Sequence, residues 1–500
     1  MYFRSAFIWA LLGLTLFTLS ESKGIRVDTT TRQLIDEFNR TKLYHGVNVV
    51  NKVAPFYPII DHFHTNNSLS EEDLQNFQEW GFNFIRLFIA WEAFEPQRSA
   101  YNYTYFEKVR DVVRLAAKCN VSVLLDMHQD LLNRQFCGEG LPDWAVVKDS
   151  FPAPIEVELE YGPDGYPTYE SCLKVQFPNY YMSYDISKNF DNLYRNVNGI
   201  GDAFGEFWRR VADYFKDEEN VIGYELINEP WLGDVHNDWW TGLATGYSDK
   251  YYLQPFYRKL HDYIRAVDND TLIFFDPSPF DLLGLGFTEG PGGPEYNDRQ
   301  VLSYHTYCGI NDAVGDPVNP SICAIPDGLA NFVHKRAAAK LGVGAFLTEF
   351  GAYTNSSKAI TEIDWVVNNA DENFQSWAYW QFKWYGDFTT SSGVLEGFYD
   401  NEGNLQANKA EIMSRPYFSS TCGVPKSYKF DRKTKSFSYS FVFNGCTTGV
   451  SEFYLPRMSG GEWTIESNGV LIERIDKTHY KATVLPKVQV GDTINVRAKI

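Results

Sequence analysis

Two glutamates in this sequence lie where buried strands are predicted to end. Ile222 to Ile227 is an apolar run of strand length, and it stops at Asn228-Glu229-Pro230, where proline prevents further ladder pairing. A second apolar run, Val343 to Thr348, is followed directly by Glu349. In an α/β barrel the carboxyl ends of the strands form the active-site face. The two glutamates therefore predict a hydrolase with paired catalytic carboxylates, although either residue alone could be a buried ion-pair partner.

Further polar or aromatic side chains lie in or just after other predicted strands. Arg86 lies within the strand Phe82 to Ala90, from which its guanidinium can donate hydrogen bonds to Glu349 and lower the pKa of that carboxyl group. A single histidine or arginine inside a barrel is more often structural than catalytic, but a series at successive strand ends indicates one site. The other members of the series are His128, Asp130, Asn228, His305, Tyr307 and Trp380.

Alternating strand and helix patterns predict the scaffold that brings these residues together. Eight apolar strands alternate with helices before Arg415, which implies a parallel sheet and a (β/α)8 barrel. Residues 131 to 200 interrupt this alternation, and we interpret them as a rim or lid at the active-site face. The predicted strands are Leu43–Val50, Phe82–Ala90, Val121–Leu125, Ile222–Ile227, Thr271–Phe275, Val301–His305, Gly344–Thr348 and Ser376–Trp380. The predicted helices are Ser70–Trp80, Phe106–Lys118, Asp202–Phe215, Tyr252–Val267, Leu329–Leu341, Ile360–Asn369 and Gln406–Ser414.

Short alternating segments replace the barrel pattern beyond Thr421. Turn residues separate them at regular spacing, which predicts an antiparallel β-sandwich that either buttresses the barrel or binds glycan or membrane. The predicted division is a signal peptide at 1–22, a catalytic barrel at 23–418 and a β-sandwich domain at 419–500. The predicted strands of the last domain are Ser436–Phe443, Gly449–Leu455, Thr464–Ser467, Val470–Ile475, Tyr480–Val484 and Asp492–Ala498.

The amino terminus predicts export from the cytosol. Arg4, the apolar run from Ala6 to Leu19 and the polar residues that follow are typical of a secretory signal, with a retained signal anchor as the alternative. No later run approaches 18 consecutive apolar residues, so we expect no transmembrane span in the mature chain. We therefore expect a secreted protein or one delivered to an acidic, lysosome-like compartment. Six glycosylation sequons fit this expectation, at Asn39, Asn66, Asn102, Asn120, Asn269 and Asn355.

The seven cysteines are informative because an exported protein folds where disulfides form. Pairing of nearest neighbours predicts three disulfides and leaves Cys119 as a buried free thiol. The sequence alone also allows other connectivities. The predicted pairs are Cys137–Cys172, Cys308–Cys323 and Cys422–Cys446.

Composition limits the partners that this protein can have. Of its 500 residues, 64 are acidic and 45 basic, and the net charge of −19 disfavours nucleic acid and anionic membranes. Aromatic residues make up 16% of the chain, which suits stacking on sugars but is also found in buried cores. No metal is required for chemistry with two carboxylates, and the histidines lack the close spacing of a metal site. We expect no cofactor, no metal and a monomer.

These motifs resemble those of glycoside hydrolase family 5, whose members are retaining enzymes with a (β/α)8 fold. The resemblance covers most of residues 40 to 415 and rests on Asn228-Glu229-Pro230, Thr348-Glu349-Phe350-Gly351 and the ordered series of polar residues. Within that family the chain is most similar to the endoglycoceramidases, which cleave the bond between oligosaccharide and ceramide in glycosphingolipids. The motifs that indicate this are His45-Gly46-Val47-Asn48-Val49-Val50-Asn51-Lys52, Asp126-Met127-His128-Gln129-Asp130 and Trp380-Gln381, with the trailing β domain.

The resemblance implies a role for each residue of the predicted site. Glu229 matches the acid/base and Glu349 the nucleophile of a reaction that retains configuration. Sugar-contacting positions are matched by Lys52, Asp130, Asn228, Tyr307 and Trp380, and the substrate-binding set is completed by Arg86, His128 and His305. The alternatives are a cellulase-like enzyme, a β-glucosidase or glucosylceramidase of the same family, or a lectin-like binder without turnover. Because both carboxylates and the arginine are present, an enzyme is favoured over a binder.

A ceramide substrate would need an apolar surface beside Glu229, and peripheral contact with micelles or membranes is expected. Two loops have a suitable composition, although packing of their side chains against barrel helices is the alternative. The loop after the fourth predicted strand carries Trp231, Leu232, Trp239 and Trp240. The loop after the fifth carries Phe280, Leu282, Leu283, Leu285 and Phe287.

Overall fold

The structure is a computed structural model that describes residues 24–279, 281, 283–284 and 286–500. The predicted signal peptide at residues 1–22 lies outside the described residues. The strands are β1 (Arg26–Val27), β2 (Leu34–Ile35), β3 (Thr41–Lys42), β4 (His45–Val49), β5 (Phe84–Phe88), β6 (Ser122–Asp126), β7 (Val221–Glu225), β8 (Leu272–Phe275), β9 (Gln300–Thr306), β10 (Gly344–Gly351), β11 (Trp377–Trp380), β12 (Tyr417–Thr421), β13 (Gly423–Asp431), β14 (Ser436–Phe443), β15 (Val450–Tyr454), β16 (Thr464–Asn468), β17 (Val470–Arg474), β18 (His479–Val484) and β19 (Thr493–Lys499). The helices are α1 (Glu71–Trp80), α2 (Trp91–Phe94), α3 (Tyr103–Lys118), α4 (Tyr169–Cys172), α5 (Phe177–Tyr180), α6 (Tyr184–Tyr194), α7 (Ile200–Phe215), α8 (Trp240–Leu243), α9 (Gln254–Arg265), α10 (Pro320–Leu341), α11 (Ser357–Glu372) and α12 (Ala407–Met413).

Strands β4 to β11 form a closed barrel in which neighbouring strands are parallel. Amphipathic helices cover its outside, because one face of each helix is apolar; α3, for example, buries Phe106, Val109 and Val113. The predicted (β/α)8 barrel is confirmed.

Apolar side chains fill the amino-terminal end of the barrel. Phe84, Phe274 and Phe346 meet there with Tyr44 in one buried cluster. The Phe346 ring centroid lies 4.9 Å from that of Phe84 and 5.8 Å from that of Phe274. Since the polar residues come later along the same strands, they collect at the carboxyl end alone.

Two element boundaries that matter for the site differ from the sequence prediction. Strand β7 ends at Glu225, three residues before Asn228. Helix α10 begins at Pro320 rather than at Leu329, although Pro326 argues against a helix in that region. The Asn319 side chain caps this helix by accepting a hydrogen bond from the Ser321 backbone N–H, 3.1 Å away. A capped first turn with proline at its start compensates for the unfavourable internal proline.

The carboxyl-terminal domain consists of two antiparallel sheets, as predicted. One has the order β13-β14-β19-β16, and the other has the order β1-β2-β3-β12-β15-β18-β17. Their facing sides share a buried cluster in which the Phe418 ring stacks on Tyr439 at 4.2 Å and on Phe453 at 4.7 Å. The larger sheet includes three strands from residues 26–42, so the amino-terminal segment joins the second domain. The sequence does not predict that pairing, and the division at residue 419 stays a prediction.

A buried carboxylate links the barrel to the β domain. Asp371 lies 3.0 Å from Nε2 of His45 and accepts a 2.8 Å hydrogen bond from Arg415. It also accepts hydrogen bonds from the Tyr428 hydroxyl at 3.1 Å and from the Trp377 indole at 3.1 Å. Donors from both domains therefore converge on one side chain, which fixes their relative position.

The three predicted disulfides, Cys137–Cys172, Cys308–Cys323 and Cys422–Cys446, are confirmed. Cys119 is a free thiol, but it is partly exposed rather than buried, because it ends α3 at the barrel surface. Across the described ranges, every helix is too short or too polar to cross a membrane.

Candidate active site

Glu229 and Glu349 lie together at the carboxyl face of the barrel. Glu349 belongs to β10, where it is in register with His305 on β9, and Glu229 follows β7 by four residues. One carboxylate oxygen of each glutamate and a ring nitrogen of His305 lie within 4.8 Å of one another. Retaining glycosidases need carboxylates about 5 Å apart, whereas inverting ones need about 6.5–9.5 Å to admit a water molecule. The observed spacing matches the retaining geometry.

Arg86 contacts several acidic groups from its position on β5. Its buried guanidinium donates to Oε2 of Glu349 at 3.0 Å and to Oδ1 of Asn228 at 2.9 Å. It also forms ion pairs with Glu225 and Asp126. Burial disfavours the charged guanidinium, but the surrounding carboxylates hold the pKa of Arg86 well above its ordinary value. The contact with Glu349 that the sequence predicts is present.

The net pKa of Glu349 moves in the direction opposite to the sequence expectation. Burial is the largest cause and raises the pKa of Glu349, while the cationic His305 and Arg86 oppose that rise. Arg86 does lower the pKa of Glu349 as expected, but the burial of the carboxyl group, which the sequence expectation left out, outweighs it. Tyr307 donates a hydrogen bond to Oε1 while Arg86 donates to Oε2. Each carboxylate oxygen thus has a donor that stabilises its negative charge.

Surrounding side chains hold Glu229 in an uncommon backbone conformation. Its φ is +38°, in the left-handed region that residues other than glycine rarely adopt. The Glu229 backbone N–H donates to Oδ2 of Asp276 at 3.2 Å, and its carbonyl accepts from Nε2 of Gln129 at 3.2 Å. Nδ1 of His305 lies 2.7 Å from Oε1 of the Glu229 side chain. These contacts fix the direction of a carboxyl group that is 29% exposed.

His305 lies between three acidic side chains. Its Nδ1 is 2.7 Å from Glu229 and 3.8 Å from Glu349, and its Nε2 is 3.6 Å from Asp276. Burial alone would lower the pKa of His305, but the carboxylates raise it to about 10. Burial also raises the pKa of Asp276 to about 8, which His305 opposes. A protonated His305 therefore donates its Nδ1 proton to Glu229.

Lys52 is the centre of a second buried cluster. It forms an ion pair with Asp130, lies 3.1 Å from Asp387 and donates to the Thr389 hydroxyl at 2.8 Å. Its Nζ also lies 4.8 Å from the ring centroid of Trp380. Because Lys52 is fully buried, it positions Asp130 and Trp380 rather than facing the cavity.

His128 joins this cluster to the catalytic pair. Its Nδ1 is 2.8 Å from Oδ2 of Asp126, its Nε2 is 3.5 Å from Asp130, and its ring stacks on Trp380 at 4.9 Å. Burial would lower the pKa of His128, but the two aspartates raise it to about 9. A charged His128 therefore orients Asp130 and the indole face together.

Glu229 and Glu349 line a cavity of about 740 Å³. Part of its lining is apolar and comes from residues 177–182 of the predicted rim and from Trp231, whose ring stacks on Tyr181 at 5.0 Å. The predicted site residues that line the cavity are His128, Asp130, Glu229, Tyr307, Glu349 and Trp380. The other four, Lys52, Arg86, Asn228 and His305, contact these residues from behind the lining.

Three acidic residues of the site, Asp126, Glu225 and Asp276, are missing from the predicted set of site residues. Asp126 and Glu225 are the last residues of β6 and β7, and Asp276 directly follows β8. Like Glu229 and Glu349 they lie at strand ends, but no second motif in the sequence distinguishes Glu225 or Asp276. Glu225 and Asp126 pair with Arg86, and Asp276 faces His305. All three acids raise the pKa of Arg86, and Asp276 also raises the pKa of His305, so they favour the charged forms of both side chains behind Glu229 and Glu349.

The predicted ceramide-binding side chains divide into two groups. Trp231, Leu232 and Phe287 are buried, so for these three the prediction of an exposed surface is wrong. Leu232 and Phe287 pack into the barrel core, and Trp231 packs on Tyr181 in the wall of the cavity. Trp239, Trp240 and Leu283 are at least half exposed, and the two tryptophan rings stack at 4.3 Å. Phe280, Leu282 and Leu285 lie outside the described residues.

Three groups of histidine and carboxylate side chains in the described part of the chain have ligand atoms within 4.8 Å of one another. Lys52 already lies against Asp130 and Glu139 in one group, and Arg86 against Glu225 in another. The third group contains the catalytic pair itself. Cationic side chains in these positions oppose metal binding by charge repulsion. That no metal or cofactor takes part stays a prediction.

Comparison with known proteins agrees with this geometry. The chain is 37% identical over 426 residues to an endoglycoceramidase of Cyanea nozakii, covering 84% of this chain and 81% of that protein. An endoglycoceramidase of Hydra vulgaris is also 37% identical, over 437 residues that cover 86% of this chain and 80% of that protein. The fold is similar to that of endo-glycoceramidase II from Rhodococcus sp. in complex with ganglioside GM3. That match has a TM-score of 0.73 and 22% identity, and covers 93% of this chain and 99% of the other.

Two family models match, and together they extend over both domains. Residues 415–497 match the glycoside hydrolase family 5 C-terminal domain. Residues 52–386, which include all ten predicted site residues, match the cellulase model of glycosyl hydrolase family 5. This chain therefore belongs to glycoside hydrolase family 5.

Proposed function

We propose that this enzyme is a retaining endo-β-glycosidase that hydrolyses the bond between the oligosaccharide and the ceramide of glycosphingolipids. The observation that carries the proposal is a pair of carboxylates within 4.8 Å of each other at a cavity whose lining is polar near the pair and apolar along residues 177–182. The identity to endoglycoceramidases over most of the chain supports the same substrate class.

In the first half of the reaction, Glu349 attacks the anomeric carbon of the glucose that is bonded to ceramide. The bond from that carbon to the ceramide oxygen breaks as Glu229 gives this oxygen its proton. Because His305 occupies Oε1 of Glu229, Oε2 is the atom that carries the transferable proton. The products are ceramide, with its own oxygen, and a glycan esterified to Glu349.

In the second half, Glu229 accepts a proton from water as the water oxygen attacks the anomeric carbon. The ester bond to Glu349 breaks, which releases the glycan and returns both carboxyl groups to their starting state. Two inversions give net retention. Arg86 and Tyr307 stabilise the negative charge that returns to Glu349, because each donates a hydrogen bond to a different carboxylate oxygen.

The polar residues around the pair fit the binding of a sugar. Trp380 lines the cavity, and His128 stacks on its ring and orients it. Asp130 lines the same cavity with Lys52 behind it, and can accept hydrogen bonds from sugar hydroxyls. Asn228 is held by Arg86 just behind the cavity lining, and it is our candidate for the contact with the 2-hydroxyl if a bound sugar replaces its contact with His128.

The substrate assignment is tested with purified protein on two substrates. A labelled ganglioside and a cello-oligosaccharide are incubated separately, and products are followed by chromatography. We expect release of an intact oligosaccharide and ceramide from the ganglioside, with little cleavage of the cello-oligosaccharide. The reverse preference would identify a cellulase, and release of glucose alone from the cello-oligosaccharide would identify a β-glucosidase. Glycolipid binding without turnover would identify a lectin.

The matched control variant is Glu349→Gln, which keeps the shape of the side chain but is a poor nucleophile. We expect its turnover to fall by at least about 10⁴-fold while its folded spectrum is unchanged. Full activity in this variant would remove Glu349 from the mechanism.

We further propose that the mature chain is a secreted or lysosome-like, monomeric glycoprotein that makes peripheral contact with micelles or membranes. Three disulfides fit an oxidising compartment, and the sequon residues Asn102, Asn120 and Asn269 are exposed. Expression in cultured animal cells should release protein whose mass falls on treatment with peptide-N-glycosidase. Sedimentation analysis should give the mass of one chain. Retention inside the cytosol, or a dimer mass, would contradict these assignments.

A further inference from the structure

In the first half of helix α10, apolar side chains face solvent and polar side chains are buried, which is the opposite of the usual pattern in a surface helix. Ile322, Ile325, Leu329 and Phe332 lie on one side of it at helical spacing and are between 49% and 74% exposed. We call these four residues the α10 apolar face. The opposite side buries polar residues, because Asp327 accepts a hydrogen bond from Thr306 and Asn331 donates to Asn369. From Val333 onward the pattern is conventional, with Val333, Ala337 and Leu341 buried.

The loop before α10 extends the same surface to the mouth of the catalytic cavity. Four residues of this loop line the cavity: Gly309, Asn311, Asp312 and Gly315. Three apolar residues of the same loop are each about half exposed: Ile310, Val314 and Val318. The disulfide Cys308–Cys323 ties this loop to the first turn of α10. On the other side, Leu283 is exposed next to Gly284, which packs against Ala337 of the same helix.

The charges in this region favour an uncharged partner. Between Cys308 and Val333 the sequence contains no lysine or arginine. Of the three aspartates, Asp316 and Asp327 are buried and only Asp312 is exposed. No glycosylation sequon lies in this stretch, because Asn319 is followed by proline, so no attached glycan would cover the surface. An exposed apolar patch of this kind marks a binding surface.

We propose that the α10 apolar face and the 310–318 loop dock this enzyme on a neutral or zwitterionic lipid surface and bring the cavity mouth to it. The inference rests on the proposed function, since ceramide is held in a lipid surface and has to enter the cavity from that side. Insertion of apolar side chains into the boundary between headgroups and acyl chains drives this binding, and attraction to anionic lipid does not.

The test uses the double variant Ile325→Ser/Phe332→Ser, which changes exposed residues that do not line the cavity. The matched control is Leu471→Ser/Val490→Ser, two residues of similar exposure on the β domain. Flotation with phosphatidylcholine vesicles that lack ganglioside measures binding in a Glu349→Gln background, so that substrate in the cavity does not contribute; vesicles with added ganglioside are used for activity. Hydrolysis of the vesicle ganglioside and of a soluble aryl lactoside measures activity in the active background.

We expect the α10 variant to lose about tenfold or more in vesicle binding and in kcat/KM on vesicles, because two inserted side chains are removed. Its activity on the aryl lactoside, and both properties of the control variant, should match wild type. Equal vesicle binding by wild type and the α10 variant would overturn the proposal. A wild-type dimer that the α10 variant converts to monomer would also overturn it, because a second chain would then cover the face.

Flotation is independent of turnover, so the two proposals can fail separately. If wild type hydrolyses neither substrate but floats through the α10 apolar face, the proposed function fails and the docking surface stands. If wild type hydrolyses the soluble lactoside but does not float, the docking surface fails and the glycosidase assignment stands.

Discussion

Glu229 acts as general acid in the first half of the proposed reaction and as general base in the second. A small anion such as azide distinguishes these two roles experimentally. In Glu229→Ala the ceramide oxygen has to leave without a proton, so we expect kcat on glycolipid to fall by about 10²–10⁴-fold. Azide attacks without a general base, and adding it should restore turnover of an aryl glycoside that has a good leaving group. Mass spectrometry would detect the glycosyl azide. Unchanged glycolipid hydrolysis in this variant would contradict the assignment of Glu229 as acid.

Asp276 is expected to act through His305 and to show its effect at alkaline pH. Burial raises the pKa of Asp276 to about 8, so Asp276→Asn should resemble wild type at acidic pH, where the carboxyl group is protonated. Above that pH the variant lacks an anion that raises the pKa of His305. The alkaline limb of the pH profile of kcat/KM should therefore move to lower pH. An unchanged alkaline limb would show that Asp276 does not act through His305.

At the residue scale, the sequence predicts the catalytic pair because each glutamate interrupts an apolar strand pattern at its end. It does not predict Asp276 or Glu225, since a single acid near a strand end has no second motif that distinguishes it. Nor does it predict the direction of the pKa shift on Glu349. That shift depends on burial, which strand patterns do not measure.

At the scale of elements, the Cys308–Cys323 disulfide braces the loop that begins beside Tyr307. Replacing both cysteines by serine should lower the free energy of unfolding by about 3 kcal/mol, as expected for a 15-residue loop. It should also raise KM, because Tyr307 and the cavity residues of the loop lose their support. The matched control is Cys422→Ser/Cys446→Ser in the β domain, which should lower stability without changing KM. Equal KM in both variants would remove the bracing role.

The sequence predicts most secondary-structure elements of the barrel but misses those that depend on capping or on distant pairing. Most barrel strands and helices are predicted to within a few residues, because their apolar periodicity is local. The start of α10 is missed, since the cap at Asn319 outweighs an internal proline. Strands β1 to β3 are also missed, because each is only two residues long and shows no periodicity, and because β3 joins the second domain by pairing with the distant strand β12.

At the scale of the whole molecule, buried groups predict a loss of stability at alkaline pH. The folded-state pKa values of His128 and His305 are about 9 and 10, above the ordinary value for histidine. Their stabilising contribution is complete below about pH 6.5 and disappears as the pH rises through those values. The pKa of Asp276, raised to about 8, acts in the same direction because the folded state keeps a proton that the unfolded state has lost.

Two buried lysines oppose this trend but do not reverse it. Burial lowers the pKa of Lys409 to about 7 and that of Lys383 to about 8, so each favours the folded state as the pH rises above those values. Between pH 7 and 8, His128, His305 and Asp276 therefore act against Lys409, at up to about 1.4 kcal/mol per group and pH unit. Glu362, whose pKa burial raises to about 9, acts in the same direction as the first three. Urea denaturation at pH 7 and pH 8 should show lower stability at the higher pH, also in high salt, which screens the net charge of −19. Rising stability over this interval would contradict the assignments.

The proposed mechanism requires that the glycan is covalently bonded to Glu349 after ceramide has left. The most direct measurement is proton NMR of a ganglioside digest, recorded before the released glycan can equilibrate between anomers, with the reaction run in ¹⁸O-labelled water. We predict that the β-anomer of an intact oligosaccharide appears first, with ¹⁸O on its anomeric carbon and none in the ceramide. First appearance of the α-anomer, ¹⁸O in the ceramide, or no release of glycan from the ganglioside would contradict the account.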